Sequence, residues 1–301
     1  MKSLPGEDLQ MQASQDNAYL CPIIAVYNQK GGVGKTTTVV NLAAEFGRKG
    51  CAVLVIDVDP QANASTHIGA IDPNLYEKNA IALFCDKKTR TDIAHLGALI
   101  SQDVNDGFEN VCYIPSTDQL DIVVTETLRI HSNRPLEELK ARLTLLRDAF
   151  DVILIDCPPA LSLLTGNAIS AATHFMIPID TSSDYSRTGW VNLMTYIKDK
   201  TPETNPDLVY LGALLTRHSE SINVQKAIAQ SFDELEMEMD LFPGVGKRLP
   251  VYIHTSTKVG EASVLREPIR KTARSNKVTK DYNDLADYLL ETLSIQQSLK
   301  A

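Results

Sequence analysis

Apolar residues in this chain gather into short unbroken runs, separated by segments with helical spacing. Residues 22–28, 52–58, 152–155, 175–179 and 208–216 are mostly apolar, rich in Ile, Val, Leu and Ala, and 111–115 is a weaker run of the same kind. Strands without a polar face must be covered on both sides, as in a parallel sheet. Between the runs the spacing becomes that of a helix, about 3.6 residues. Residues 36–49 place Val39, Leu42, Ala43 and Phe46 on one stripe, and Gly50 follows as a stop. Residues 134–150 do the same with Leu136, Leu139, Leu143 and Leu146. Residues 186–200 and 224–237 are also helical. Residues 278–293 set Val278, Tyr282, Leu285 and Leu289 against Asp281, Asp284, Asp287 and Glu291. The alternation predicts an α/β fold, a mostly parallel twisted sheet with helices on both faces. Residues 62–110 break the rhythm and are expected to hold loops and short helices. Residues 242–258 are irregular as well.

One strand-to-helix junction carries chemistry. After the run at 22–28 the chain reads Tyr27-Asn28-Gln29-Lys30-Gly31-Gly32-Val33-Gly34-Lys35-Thr36-Thr37. Glycines let backbone N–H groups turn onto phosphate oxygens, and the helix N-terminus adds its positive end. Lys35 is placed to neutralise β- and γ-phosphates, the Thr36 hydroxyl to ligate Mg²⁺, and Thr37 to add a phosphate hydrogen bond. Two further runs end in acid: Asp57-Val58-Asp59-Pro60-Gln61 and Asp156-Cys157-Pro158-Pro159. Ligands of open α/β sheets sit at the carboxyl ends of strands, so both acidic ends should converge on the glycine loop.

The ordinary phosphate-loop pattern places glycine where Gln29 stands. The KGGxGKTT string that replaces it is the deviant Walker A signature, and it resembles the ParA/MinD/Soj superfamily of P-loop ATPases. The resemblance runs from about Ile23 to Leu290. It implies a P-loop NTPase fold that binds ATP and Mg²⁺ through Lys30, Gly31, Gly32, Val33, Gly34, Lys35, Thr36 and Thr37. It also implies that Lys30 reaches a partner's nucleotide in an ATP-bound homodimer. Asp156 matches the Walker B aspartate, holding the metal with Thr36. Asp59 is expected to activate water and Asp57 to support the magnesium shell, with Gln61 a weaker candidate. Pro158 and Pro159, followed by Leu164-Thr165-Gly166-Asn167-Ala168, match switch II. Arg248-Leu249-Pro250 resembles the segment beside the adenine ring, with Pro250 as the contact. Tyr252 stands where the chromosomal Soj pattern has asparagine, so the preference for ATP rests on the resemblance.

Charge sharpens this picture. The 301 residues carry a net charge of −9, yet seven basic residues fall between Lys258 and Lys280 against Glu261 and Glu267. Such a patch can hold DNA phosphates without reading sequence. The resemblance puts a DNA-contacting role on Lys258, with Arg266, Arg270, Lys271 and Arg274 beside it. The expected partners are nonspecific double-stranded DNA and a ParB-like or other adaptor that stimulates slow hydrolysis. The chain would then position or segregate a plasmid, a chromosome or a protein cargo. Residues 1–20 read as an N-terminal arm without a secretory h-region, 21–295 as one ATPase domain, and 296–301 as a short tail. Only about twenty residues precede the first strand, so a helix-turn-helix region is not expected there. The five cysteines form no CxxC pair, which disfavours an iron–sulfur electron donor. A cytoplasmic, nucleoid-associated protein follows, without a membrane partner. The acidic side of 278–293 argues against a MinD-like membrane helix. A metabolic ligase of the cobyrinic acid type shares the fold but generally lacks the Lys30 equivalent.

Overall fold

The computed structural model describes residues 21–182, 186–239, 248–295 and 297. The expected arm at 1–20, most of the tail, and part of the irregular stretch at 242–258 lie outside the described residues. Among the described residues seven strands form one sheet: β1 (Ile23–Val26), β2 (Val53–Asp57), β3 (Val111–Ile114), β4 (Val152–Asp156), β5 (His174–Asp180), β6 (Val209–His218) and β7 (Ile253–His254). All neighbours pair in parallel, in the order β3-β2-β4-β1-β5-β6-β7. The helices are α1 (Lys35–Arg48), α2 (Asn63–Ile68), α3 (Ile81–Cys85), α4 (Ile93–Gly97), α5 (Leu120–His131) and α6 (Glu138–Leu146). They continue as α7 (Leu163–Ala171), α8 (Ser186–Thr204), α9 (Asn223–Met239), α10 (Lys258–Leu265), α11 (Ile269–Thr272) and α12 (Lys277–Thr292).

The unbroken apolar runs have the reason the sequence implied. Successive strand residues face opposite sides, and both sides are buried. Ile23, Ala25, Leu54, Ile56, Ile153 and Ile155 pack with Leu139 and Leu143 of α6, Leu164 and Ala168 of α7, and Leu193 of α8. Ile24, Val26, Val53, Val55, Val152 and Leu154 pack on the other face, with Leu42 and Phe46 of α1 and with Val278, Tyr282, Leu285 and Leu289 of α12. Fully burying one such side chain contributes about 1.5–3 kcal/mol, so the two layers hold the sheet from both sides.

Several boundaries differ from the spacing. The helix expected over 134–150 begins only at Glu138, because Asn167 of α7 takes both the Pro135 carbonyl (Nδ2 to O, 2.7 Å) and the Leu139 N–H (3.1 Å). It ends in a 3₁₀ turn, Arg147–Ala149. Helix α5 was not foreseen, although Leu120, Val124 and Leu128 recur every four residues and are all buried. The irregular stretch 62–110 holds α2, α3, α4 and two 3₁₀ turns, and Asp72, Asp86 and Asp92 cap its short helices by accepting from the backbone N–H of Asn74, Lys88 and His95. In α12, Asp281 leaves the expected acidic surface. It is buried, and one of its oxygens accepts from the His254 N–H (2.9 Å) and contacts His254 Nδ1 (2.8 Å).

Candidate functional site

Strand β1 stops at Val26 and the chain turns at the carboxyl edge of the sheet. Asn28 fixes the turn. Its Nδ2 donates to the Pro178 carbonyl of β5 (2.7 Å), and its Oδ1 accepts from the Lys30 N–H (2.9 Å). Gly32 and Gly34 have φ of 73° and 95°, a region that costs an L side chain strain and glycine nothing. Lys35 Nζ donates to the Lys30 carbonyl (3.0 Å), closing the loop on itself. Thr216, at the end of β6, buttresses the far side, where its hydroxyl donates to the Val33 carbonyl (2.9 Å). Helix α1 starts from Gly34 with no side-chain cap, so its first N–H groups stay available to an anion.

The acids converge as strand ends should. Thr36 Oγ1 donates to Asp156 Oδ2 (2.7 Å), while Asp156 Oδ1 is buried without a hydrogen-bond partner among the described residues. Asp57 pairs in register with Asp156 across β2 and β4. Both Asp57 oxygens are engaged: Oδ1 accepts from the Asp59 N–H (3.0 Å), and Oδ2 from the Ser65 N–H (2.8 Å) and hydroxyl (2.7 Å). Burial pushes the Asp57 carboxyl up to about 7, and burial with the Asp57 charge pushes Asp156 well above the usual carboxylate range. Burial also lowers Lys35, against the pull of Asp156 and Asp59. Asp59 is buried, and its carboxylate accepts from the Gln61 N–H (3.0 Å). Beside it opens a cleft of about 290 Å³, lined among others by Pro60, Gln61, Asp72, Asp118 and Arg266.

The loop and the carboxylate at its base have the geometry of a phosphate cradle beside a hard-cation ligand. A family profile described as an AAA domain (AAA_31) matches residues 21–210. The sporulation initiation inhibitor protein Soj of Bacillus subtilis is 36% identical over 199 residues, covering 64% of this chain and 72% of Soj. The chromosome-partitioning ATPase Soj of Thermus thermophilus is 34% identical over 204 residues, 65% of this chain and 69% of that protein. This chain belongs to the ParA/Soj family of ATPases. Among solved structures, a cobyrinic acid a,c-diamide synthase from Mycobacterium smegmatis with bound ATP analogue and magnesium superimposes with a TM-score of 0.71. It is 27% identical, and the match covers 90% of this chain and 94% of that one.

A ParA/Soj ATPase uses ATP and Mg²⁺, and the residues here fit both. The orphaned Asp156 oxygen and the Thr36 hydroxyl form a hard oxygen set suited to magnesium. The family's switch II match divides in two. Pro158 is buried and Pro159 exposed at the loop. Thr165 and Asn167 act as scaffold instead: Thr165 Oγ1 donates to the Ala160 carbonyl (2.6 Å), and Asn167 anchors the segment before α6. Pro250 is exposed beside β6, where the Leu249 N–H donates to the Ala213 carbonyl (2.9 Å). Tyr252 lies edge-on to His218 with ring centroids 4.9 Å apart.

The structure sorts the five candidate DNA contacts. Arg270 turns inward to buried Glu45 of α1. Lys271 pairs with Asp106 (2.6 Å) and Glu267 (2.8 Å), and Lys258 with Glu261 (2.6 Å). Arg266 and Arg274 are exposed, as are Lys277 and Lys280. Sequence reasoning missed Asn28, Ser65, Asp180, Thr216 and Arg217. Asn28 was readable as the polar end of an apolar run. The others reach the loop only through the strand order and the loop after β2.

Proposed function

We propose that this chain is an ATP-driven dimerising switch that binds nonspecific DNA and, with a partner that stimulates slow hydrolysis, positions or segregates a cargo. The observation that carries the reading is the Lys30–Lys35 contact. The side chain meant for the phosphates holds the backbone of the signature lysine, so nucleotide binding at Lys35 acts directly on Lys30. Two triphosphates facing each other need cations between them, and a Lys30 from each subunit would supply them.

In this reading residues 30–37 hold the phosphates through backbone N–H groups, Lys35 and the two threonines. Magnesium, when bound at Thr36 and Asp156, offsets phosphate charge. Asp57 keeps the base of the site in place through Ser65 and the Asp59 N–H, so its part in the metal shell is indirect. Asp59 orients water for attack on the γ-phosphate, and the loop at Pro158 and Pro159 responds when that phosphate leaves. Pro250 borders the base. Exposed Arg266 and Arg274, with Lys258, supply the DNA contact, and doubling this surface in a dimer would strengthen binding by avidity.

The chain should sediment as a monomer alone and as a dimer with magnesium and a non-hydrolysable ATP analogue. A persistent monomer at saturating analogue would falsify the switch. Asp59→Ala should still dimerise with ATP but turn over at least tenfold more slowly, and unchanged turnover would remove Asp59 from its role. The synthase likeness supports a second reading as an amide-forming ligase with an acceptor in the cleft beside Gln61. That cleft lies at the bottom of the range for ligand pockets, roughly 300–1,000 Å³, which disfavours a corrinoid acceptor.

A further inference from the structure

Strand β6 is interrupted where it passes the phosphate loop. Thr216 pairs with Ile253 and His218 with His254, so Arg217 is an extra residue expelled from the β6–β7 ladder. It has φ of 51°, the left-handed region that a non-glycine residue enters at a cost. Bulges of this kind re-aim a side chain and gather beside active sites. The residue before it, Thr216, holds the loop by its hydrogen bond to Val33, and its methyl faces the side of Gly34 where a Cβ would stand. Arg217 therefore projects from a point one residue from the cradle.

Its guanidinium is half-exposed and donates from Nη1 to Asp180 Oδ2 (2.8 Å). Asp180 ends β5, the strand next to β1, and its Oδ1 accepts from the Ser182 N–H (2.8 Å). Burial works against its charge. The Ser182 hydrogen bonds and the nearby Arg217 and Lys30 outweigh it, and Asp180 stays below the usual carboxylate range. One carboxylate thus sits in the field of two cations at the mouth of the loop. A guanidinium fork suits phosphate oxygens as well as carboxylate oxygens.

We propose that Arg217 is a further nucleotide-binding residue of this site, which gives its guanidinium to the phosphates of the nucleotide bound on the same protomer when its ion pair with Asp180 opens. Asp180 acts as the competing anion that sets how readily this happens. The arrangement lets a triphosphate, with more charge than a diphosphate, outbid the carboxylate more often.

The proposal rests on a nucleotide lying over residues 31–34, and the experiment separates the two. Calorimetric titration of the full chain with magnesium and either ADP or a non-hydrolysable ATP analogue is the readout. Arg217→Asn tolerates the left-handed backbone and should bind the ATP analogue about tenfold more weakly, with a smaller loss for ADP. Arg217→Lys should recover part of the loss. Asp180→Asn should bind both nucleotides several-fold more tightly in the wild-type background and have no effect beside Arg217→Asn. Lys35→Ala should lose binding altogether; if it does not, the placement of the nucleotide fails. If Lys35→Ala loses binding but Arg217→Asn binds like wild type, the role of Arg217 is overturned. An Asp180→Asn effect of equal size in both backgrounds would overturn the competition.

Discussion

Asp156 is bonded on one side and bare on the other. Its Oδ2 holds Thr36, while its Oδ1 is buried with no donor to it among the described residues. A buried carboxylate in that state destabilises the metal-free protein, and the raised Asp156 carboxyl says the same. Asp156→Asn should therefore raise the melting temperature of the nucleotide-free chain, by about 1–2 kcal/mol of stability. It should also abolish the further rise that magnesium and an ATP analogue give the wild type. An unchanged nucleotide-free melt would show that the buried charge of Asp156 carries no cost. His174 offers a separate measurement away from the site. Burial, with Arg147 nearby, lowers its imidazole to about 4 from 6.5. Between those values the unfolded chain takes the extra proton, so stability is full above pH 6.5 and falls as pH drops toward 4. The loss approaches about 3 kcal/mol. Denaturant titrations at pH 7 and pH 4.5 should show it, and His174→Gln should flatten this part of the profile.

At the scale of elements, strands were legible because burial on both faces leaves no polar positions to confuse the pattern. The phosphate loop was legible because its chemistry is local: Lys35, Thr36 and the glycines are neighbours in the chain. Thr216 and Arg217 were not, since only the β1-β5-β6 order brings them to the loop. The early start expected for α6 failed for a similar reason, as Asn167 claims the preceding backbone from a distant helix. Helix α6 also carries a charge pair invisible to periodicity. Arg142 is almost fully buried. It bonds buried Glu138, the Thr89 hydroxyl (3.0 Å) and the Asp86 carbonyl (3.1 Å), clamping the Lys87–Arg90 turn to the helix. Arg142→Ala leaves buried Glu138 with only half-exposed Arg90 (3.3 Å) and the Ser132 hydroxyl (2.7 Å) as partners and should cost about 3 kcal/mol in chemical denaturation. Arg142→Met with Glu138→Leu should cost less, because the one charge left without its partner, Arg90, is half-exposed. Equal losses would mean the turn, not the charge, sets the energy.

Across the whole molecule, a net charge of −9 and a basic surface coexist because the structure pairs some cations and leaves others outward. Arg270 is committed to Glu45, whereas Arg274 faces solvent. If the chain binds DNA as proposed, Arg274→Glu should weaken binding to a random duplex and shallow its dependence on salt, since fewer counterions are released. Arg270→Gln should mainly lower stability, leaving the salt slope of the folded protein unchanged. Identical effects on the slope would mean that Arg270 swings outward on DNA.

The α1 helix joins these scales. Its 14 residues, about 21 Å of rigid rod, begin at Lys35. Midway, Asn41 receives the Ile269 N–H (2.9 Å) while its amide grips the Thr37 carbonyl (2.8 Å), and Glu45 holds Arg270 one turn later. A tilt of this rod on phosphate binding would be carried by these two contacts toward the backbone that presents Arg274. A spin label on a cysteine placed by Arg274→Cys should therefore change its spectrum when nucleotide binds at the opposite end, and cutting one of the two tethers with Glu45→Gln should weaken that signal while the site still fills.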